Sequence, residues 1–205
     1  MPADTATLLL DRAQTLIQTR GYNAFSYKDL AAAVGIRTAS IHYHFPAKAD
    51  LGLALMARYH AALEDALAEI DHRGRSQLAR LKAFIGLYRD TEARGAVCLC
   101  GSLASDRETL PAPLQAAIAD YLTRSERWVA ARLAEGVRAG EFAVAGRSAD
   151  AAASLVAGLQ GGLILARAHG AGAHGAGAQG TGARGTGAHV VDRVQRSFLA
   201  LLHSA

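Results

Sequence analysis

Apolar residues recur at helical spacing along most of the chain. Strict apolar–polar alternation is absent, so the pattern predicts helices and no sheet. A first helix fits residues 4–20, with Leu8, Leu9, Ala13, Leu16 and Ile17 on one side and Gly21 closing it. After the loop "YNAF", Ser26 reads as an N-cap, and Asp29 three residues on makes a weaker relative of the capping box. The helix "YKDLAAAV" stops at Gly35, and Thr38 can cap the next one, "ASIHYHF". Pro46 suits the first turn of a further helix running to about Ile70, because a first-turn N–H has no intrahelical partner to lose. Further helices are expected near 75–93, 98–107, 112–139, 148–168 and 189–203. Gly95, "LPAP" and "AGEFAVAG" supply the breaks between them.

Residues 27–45 therefore read as helix, glycine turn, helix, which is the spacing of a helix-turn-helix. Ala31 lets the two helices cross closely, and Leu30, Val34, Ile36 and Ile41 fill the space between them. In the second helix Ile41 and Phe45, four apart, face inward. Thr38, Ser40, His42, Tyr43 and His44 form a polar side able to enter a major groove, where base edges offer donors and acceptors. Lys48 lies at the start of the next helix, where its ammonium would hold a phosphate, and Tyr27 and Lys28 could grip backbone on the other side. His-x-His also raises a metal site. On a helix, however, His42 and His44 lie about 200° apart and cannot share one ion, so no metal is expected.

Composition narrows the class without choosing the function. The 205 residues are 51% hydrophobic and 20% charged, enough for a substantial core. The net charge of +4 permits a nucleic-acid partner but does not demand one. A purely architectural DNA protein would need stronger basicity and no long segment beyond the heads. The only cysteines are Cys98 and Cys100, which fits a reducing cytoplasm rather than a disulfide scaffold. The N-terminus lacks a basic region before an apolar stretch, so no signal peptide is expected. The nearly uncharged stretch 151–166 is short and mixed for a membrane span.

The stretch "GYNAFSYKDLAAAVGIRTASIHYHFPAKADL", residues 21–51, resembles the TetR family of transcriptional regulators. The family pattern runs G-[FY], then D-[LI]-A-x-x-x-G-[VI], then [ILV]-Y-x-H-F-x-x-K-x-x-L. It is matched densely here, and His42 departs from it where the family most often has tyrosine. The resemblance implies an all-α fold with a helix-turn-helix three-helix DNA-binding domain over 1–48. A helical effector-binding and dimerisation domain over 49–205 would follow. It implies a homodimer on a palindromic operator of double-stranded DNA, usually a repressor released by a small-molecule effector, with no enzymatic role and no cofactor. Arg37 and Ala39 join Tyr27, Lys28, Thr38, Ser40, His42, Tyr43, His44 and Lys48 as the expected DNA-binding set. The last two helices would form an intersubunit bundle, with Leu155, Leu159 and Leu163 facing Val191, Val194, Phe198 and Leu201; an ordinary intrachain core is the alternative.

The effector cannot be identified from the residues. Phe84, Tyr88, Tyr121 and Trp128 fall at helical spacing and are pocket candidates with Cys98, Cys100 and Leu103, and each could equally be plain core. The cysteines are small buried hydrophobes, pocket-lining groups or a thiol sensor of electrophiles or oxidants; the last requires an accessible thiol of lowered pKa. A helical enzyme built on a cysteine or histidine is the reading of another class. It would need a nucleophile and base in reach of each other. Residues 170–189 are four tandem five-residue units, GAGAH, GAGAQ, GTGAR and GTGAH, with eight glycines in twenty residues. Each glycine costs a helix ~1 kcal/mol relative to alanine, so the tract reads as a flexible loop.

Overall fold

The chain forms helices where the apolar period runs unbroken and ends them where glycine or proline intervenes. In this computed structural model residues 4–170 and 189–203 are described. The first three helices are α1 (Thr5–Arg20), α2 (Tyr27–Val34) and α3 (Thr38–His44), followed by the long α4 (Lys48–Arg73). Then come α5 (Gln77–Ala93), α6 (Leu99–Ser105), a 3-10 turn at Arg107–Thr109 and the long α7 (Ala112–Arg138). The chain closes with α8 (Ser148–Ala168) and α9 (Val190–Ala200). Most of the glycine-rich tract, expected as a loop, lies outside the described residues.

The sequence does not predict a small strand pair. Ala143–Val144 (β1) pairs antiparallel with Leu202–His203 (β2), in the register Ala143 to His203 and Val144 to Leu202. The last helix therefore stops at Ala200 instead of continuing to 203. At two residues per strand, the pair is too short for period-2 alternation to register in the sequence.

One compact unit comprises the residues up to Ala66 together with Cys98–Thr123. It is larger than the three-helix head, because α6 packs with the head. Ser102 Oγ donates to the Ile17 carbonyl at 2.7 Å, although both residues are buried. The core of the unit is Leu9, Ala13, Ile17, Leu30, Ile41, Leu51, Leu55 and Met56, joined by Leu99, Leu103 and Leu114, all at most 1% exposed. Gly52 lets α4 come close to α7: a Cβ there would stand 2.8 Å from the Leu114 side chain.

The other unit comprises Leu67–Val97 and the residues from Arg124 onward. Its core runs through Leu81, Phe84, Ile85, Val129 and Leu133 to Leu155, Leu159, Leu163, Val191 and Phe198. Asp71, near the end of α4, accepts from Trp128 Nε1 at 3.0 Å and from Arg132 at 2.7 Å, which fixes α4 to α7 inside this unit. α8 is long and apolar enough to cross a membrane, but the leucine stripe that makes it so is packed against α5 and α9.

That packing already buries most of the expected dimer seam within the single chain, leaving Val194 and Leu201 of it outward. Leu155, Leu159, Leu163 and Val191 are at most 1% exposed and Phe198 is 6% exposed within the single chain. Helical spacing marks an apolar stripe but does not say whether its partner is the same chain. The outward apolar residues are Ile164, Leu165 and Leu201, each more than half exposed. They lie near Val194, which is half-buried.

The start of α9 is held from a distance. Helix N-termini leave N–H groups without intrahelical partners, and the side chain of α9's own N-cap residue, His189, caps none of them. Instead the buried Glu92 of α5 accepts from Val190 N at 2.7 Å and Val191 N at 3.2 Å. Arg89 adds bonds to Asp192 at 2.6 Å and Gln195 at 2.7 Å. Replacing Glu92 with alanine leaves the buried Val191 N–H and the part-buried Val190 N–H unmet, the buried one costing about 1–3 kcal/mol. Glu92→Ala is therefore expected to lower the melting temperature by roughly 4–10 °C. A shift below about 1 °C in calorimetry would show that α9 is held by its apolar face alone.

Candidate nucleic-acid interface

The head is built from short-range signals. Ser26 and Asp29 form the full reciprocal capping box of α2: Ser26 N donates to Asp29 Oδ2 at 2.7 Å, and Asp29 N donates to Ser26 Oγ at 3.3 Å. The Ser26 bonds hold the Asp29 carboxyl below its ordinary value. Their contribution is present at neutral pH and fades as pH falls through that lowered value. Gly35 ends α2 at φ 77°, ψ 32°, a left-handed position that suits glycine. Both Gly35 N and Ile36 N donate to the Ala31 carbonyl, so the turn closes tightly and delivers the chain into α3. Thr38 was the expected cap of α3; it is the first helical residue instead. Arg37 takes the extended cap conformation without a side-chain bond.

α3 is held down by Ile41, fully buried, and by Phe45, just past its end. Its opposite side is open. Arg37, Ala39, Ser40, His42 and Tyr43 are exposed, with Thr38 and His44 half-buried. Tyr43 is 84% exposed, which is rare for so large a ring and places it where it can touch another molecule. Thr5, from the first turn of α1, joins Ile36, Arg37, Ala39, Ser40, Tyr43 and His44 in lining a surface depression on this side. Periodicity within the helix-turn-helix missed Thr5, because its place beside α3 depends on how α1 packs. Lys28 is exposed on α2.

Two expected DNA contacts point elsewhere. Lys48 turns inward: its Nζ donates to the carbonyls of Tyr22 and Phe25, both at 2.5 Å, and lies over both rings. Burial lowers its pKa, against the opposing pull of the Asp106 and Asp29 charges. Tyr27 is buried, and its hydroxyl donates to the Phe45 carbonyl at 2.9 Å. Burial first, and then the nearby Asp50 charge, push it up to about 12. Both side chains fasten the turns on either side of α3; neither reaches outward as the sequence reading expected. His42 and His44 have different neighbours. His42 Nδ1 lies 3.0 Å from the Pro46 carbonyl, whereas His44 meets the Tyr43 ring edge-on.

The expected effector residues are all buried, and they fall into separate groups. In the first unit Tyr121 stacks on Tyr59 at 4.9 Å and meets His60 edge-on, while the Tyr59 hydroxyl lies 3.7 Å from Cys98 Sγ. Tyr59 and His60, inside α4, belong to this cluster too, although helical periodicity did not single them out. Cys100 Sγ is 4.0 Å from Met56 Sδ, and Leu103 is fully buried. In the second unit Phe84 stacks on Trp128 at 5.5 Å and tilts against Tyr88 at 5.6 Å; the Tyr88 hydroxyl is 3.4 Å from Gln160. Burial pushes the Cys100 thiol far up, away from the reactive thiolate. Cys98 is 3% exposed. Neither cysteine has the access that thiol sensing requires, so the structure argues against that alternative.

A helix-turn-helix with an open polar second helix, carried by a larger all-helical body, defines a class of DNA-binding regulators. Comparison with known proteins agrees. The model of the "Bacterial regulatory proteins, tetR family" matches residues 9–55, and a "Tetracyclin repressor-like, C-terminal domain" model matches residues 77–180. The transcriptional regulator AcuR of Cereibacter sphaeroides is 28% identical over 127 residues, covering 60% of this chain and 58% of AcuR. A TetR-family regulator from Agrobacterium tumefaciens has a similar structure (TM-score 0.83). It is 31% identical, with 97% of each chain covered. A TetR regulator from Legionella pneumophila is similar at TM-score 0.80 and 28% identity, covering 98% of this chain and all of its own. The chain belongs to the TetR family of bacterial transcriptional regulators.

The inward Lys48 gives a direct test. A lysine that neutralises a phosphate contributes about 0.9 to the slope of log affinity against log salt. Lys48→Met is expected to lower the melting temperature, because the Tyr22 and Phe25 carbonyls lose their donor, and to leave that slope unchanged. A slope shallower by about one in filter binding would put Lys48 back on the DNA.

Proposed function

We propose that the chain is a homodimeric repressor. It would bind a palindromic operator through α3 and let go when a small-molecule effector binds the helical body. The single observation that carries this reading is the side of α3 that bears Arg37, Ser40, His42 and the 84%-exposed Tyr43 while Ile41 anchors the helix. Phosphate contacts would come from Lys28, Arg37 and the first turn of α1 near Thr5, and base contacts from Ser40 and Tyr43. Family membership supports the absence of catalysis.

Dimerisation is proposed through the outer face of α8 and α9. Ser154, Leu165, Arg193, Val194, Ser197 and Leu201 line a surface groove there, with Ile164 exposed on α8. A second copy would cover this apolar surface and hold two recognition helices about 34–36 Å apart, one turn of DNA. The buried polar cluster of Tyr59, Cys98 and Tyr121 is the proposed effector-facing region, and a cytoplasmic location follows from a DNA partner.

Footprinting on the DNA upstream of the protein's own coding region is expected to protect a palindrome. Tyr43→Ala should weaken binding about tenfold or more, the cost of losing a good base or phosphate contact, with an unchanged melting temperature. Ile164→Asp with Leu201→Asp should give monomers in light scattering and lose the palindrome. Unchanged affinity in Tyr43→Ala, or a dimer that survives the double aspartate variant, would remove the corresponding part of the proposal.

A further inference from the structure

The His42 ring is held on two sides. Nδ1 lies 3.0 Å from the Pro46 carbonyl oxygen, and the Tyr27 ring meets it edge-on at 4.9 Å between centroids. A carbonyl has no proton to give, so Nδ1 must carry the hydrogen of that bond. This fixes the tautomer: Nε2 is a bare acceptor when the ring is neutral, and an N–H donor only when the ring is charged. Among the described residues Nε2 has no hydrogen-bond partner, and the side chain is exposed beside Tyr43.

His42 sits in the last turn of α3, where the helix carbonyls carry partial negative charge. The elements packed around it carry Tyr27, Lys28 and Asp29 on α2, Arg37 and His44 on α3, and Lys48 and Asp50 at the start of α4. The Lys48 ammonium is committed to the Tyr22 and Phe25 carbonyls, and Asp50 accepts from Ala47 N at 2.8 Å. So the cation that the sequence placed here for a phosphate is turned away, and His42, besides the exposed Lys28 and Arg37, is a further exposed group with an open nitrogen.

We propose that His42 is a proton-linked DNA contact, in which Nε2 takes up a proton to donate to a backbone phosphate of the operator. This rests on the DNA-binding reading of α3. Phosphate oxygens only accept, so the neutral ring has nothing to offer them, whereas the imidazolium brings both a donor and a charge. A tyrosine, the residue the family most often has here, carries a donor hydroxyl at any physiological pH, whereas His42 Nε2 can donate only when the ring is protonated. The sign follows from linkage. The bound complex holds a proton that the free protein releases, so affinity is greatest below the free-protein transition. It weakens as pH rises through the window between the free and bound values. The opposite contact, a neutral Nε2 accepting from a base amino group, would weaken as pH falls.

The test uses the full-length chain and an operator selected from random duplex DNA, with affinity read by fluorescence anisotropy from about pH 8 to about pH 6 at fixed ionic strength. The wild type is expected to bind about three- to tenfold tighter at the acidic end, with a salt slope steeper by about 0.9 there than at the basic end. His42→Gln should bind with no such pH response and equal slopes. His42→Tyr should bind with no pH response while keeping the contact, and His44→Gln should retain the wild-type response. A flat wild-type profile, tighter binding at the basic end, or a response that survives in His42→Gln would overturn the inference while leaving the operator reading intact. A wild type that selects no duplex at any pH would overturn both.

Discussion

One half-buried ammonium organises the DNA-binding unit. Lys48 stands at the first residue of α4 and donates to the carbonyls of Tyr22 and Phe25, which lie in the turn between α1 and α2. That turn has little secondary structure of its own, so its polar groups need partners from outside. Asp106, just after α6, completes them from the opposite sign: it accepts from Tyr22 N at 2.9 Å and Asn23 Nδ2 at 3.0 Å. A cation on the carbonyls and an anion on the N–H groups thus bracket one six-residue connection. Lowering the charge on either side would leave buried polar groups unmet, and that loss costs more than the bond itself gains.

From this bracket the placement of α3 follows. Phe25 and Tyr22, held under Lys48, are buried and meet edge to face, which sets where α2 begins. Tyr27, the first residue of α2, reaches across to the Phe45 carbonyl and so ties the start of α2 to the end of α3. Ile41 closes the remaining space. The helix that would meet DNA is therefore positioned from both ends by groups that themselves face inward, and its outer side chains are free to be chosen for recognition. α6 contributes to the same unit through Ser102 and Asp106, and it carries the Cys98 and Cys100 end of the buried cluster. Any event that displaces α6 must therefore strain hydrogen bonds to the head, which links the buried cluster to the turn before α2.

Most of the fold was legible because helix boundaries are set by local chemistry. The capping pair Ser26 and Asp29, the left-handed Gly35 and the glycine and proline breaks act over a few residues, and nearly all expected helices lie within two or three residues of their place. What stayed hidden depended on distant partners. Nothing near Lys48 in sequence shows that its ammonium is drawn to carbonyls 23 and 26 residues earlier. Nothing near Val190 shows that its N–H is met by Glu92, 98 residues away. The leucine stripe of α8 was visible, but periodicity marks burial without naming what buries it. Tyr59 and His60 were missed for the complementary reason: in a long amphipathic helix, periodicity does not single out the polar aromatic residues that α6 and α7 cover.

The family pattern in residues 21–51 has a physical meaning that bears on how far it reaches. Its fixed positions here, among them Leu30, Ala31, Ile41, Phe45, Lys48 and Leu51, are the ones drawn into the core or the bracket. Its free position next to His44 is Tyr43, the most exposed large hydrophobic side chain of the head. Such a pattern identifies the scaffold and is nearly silent about the operator. Under the proposed DNA-binding reading, operator choice would be written in the residues the scaffold leaves open, namely Arg37, Ala39, Ser40 and Tyr43, and in positions where this chain departs from the pattern. His42 is such a departure. Its ring meets Tyr27 edge-on, and its Nε2 can donate only when the ring is protonated. Under the proposal for His42, that departure would set the pH range over which the protein holds DNA.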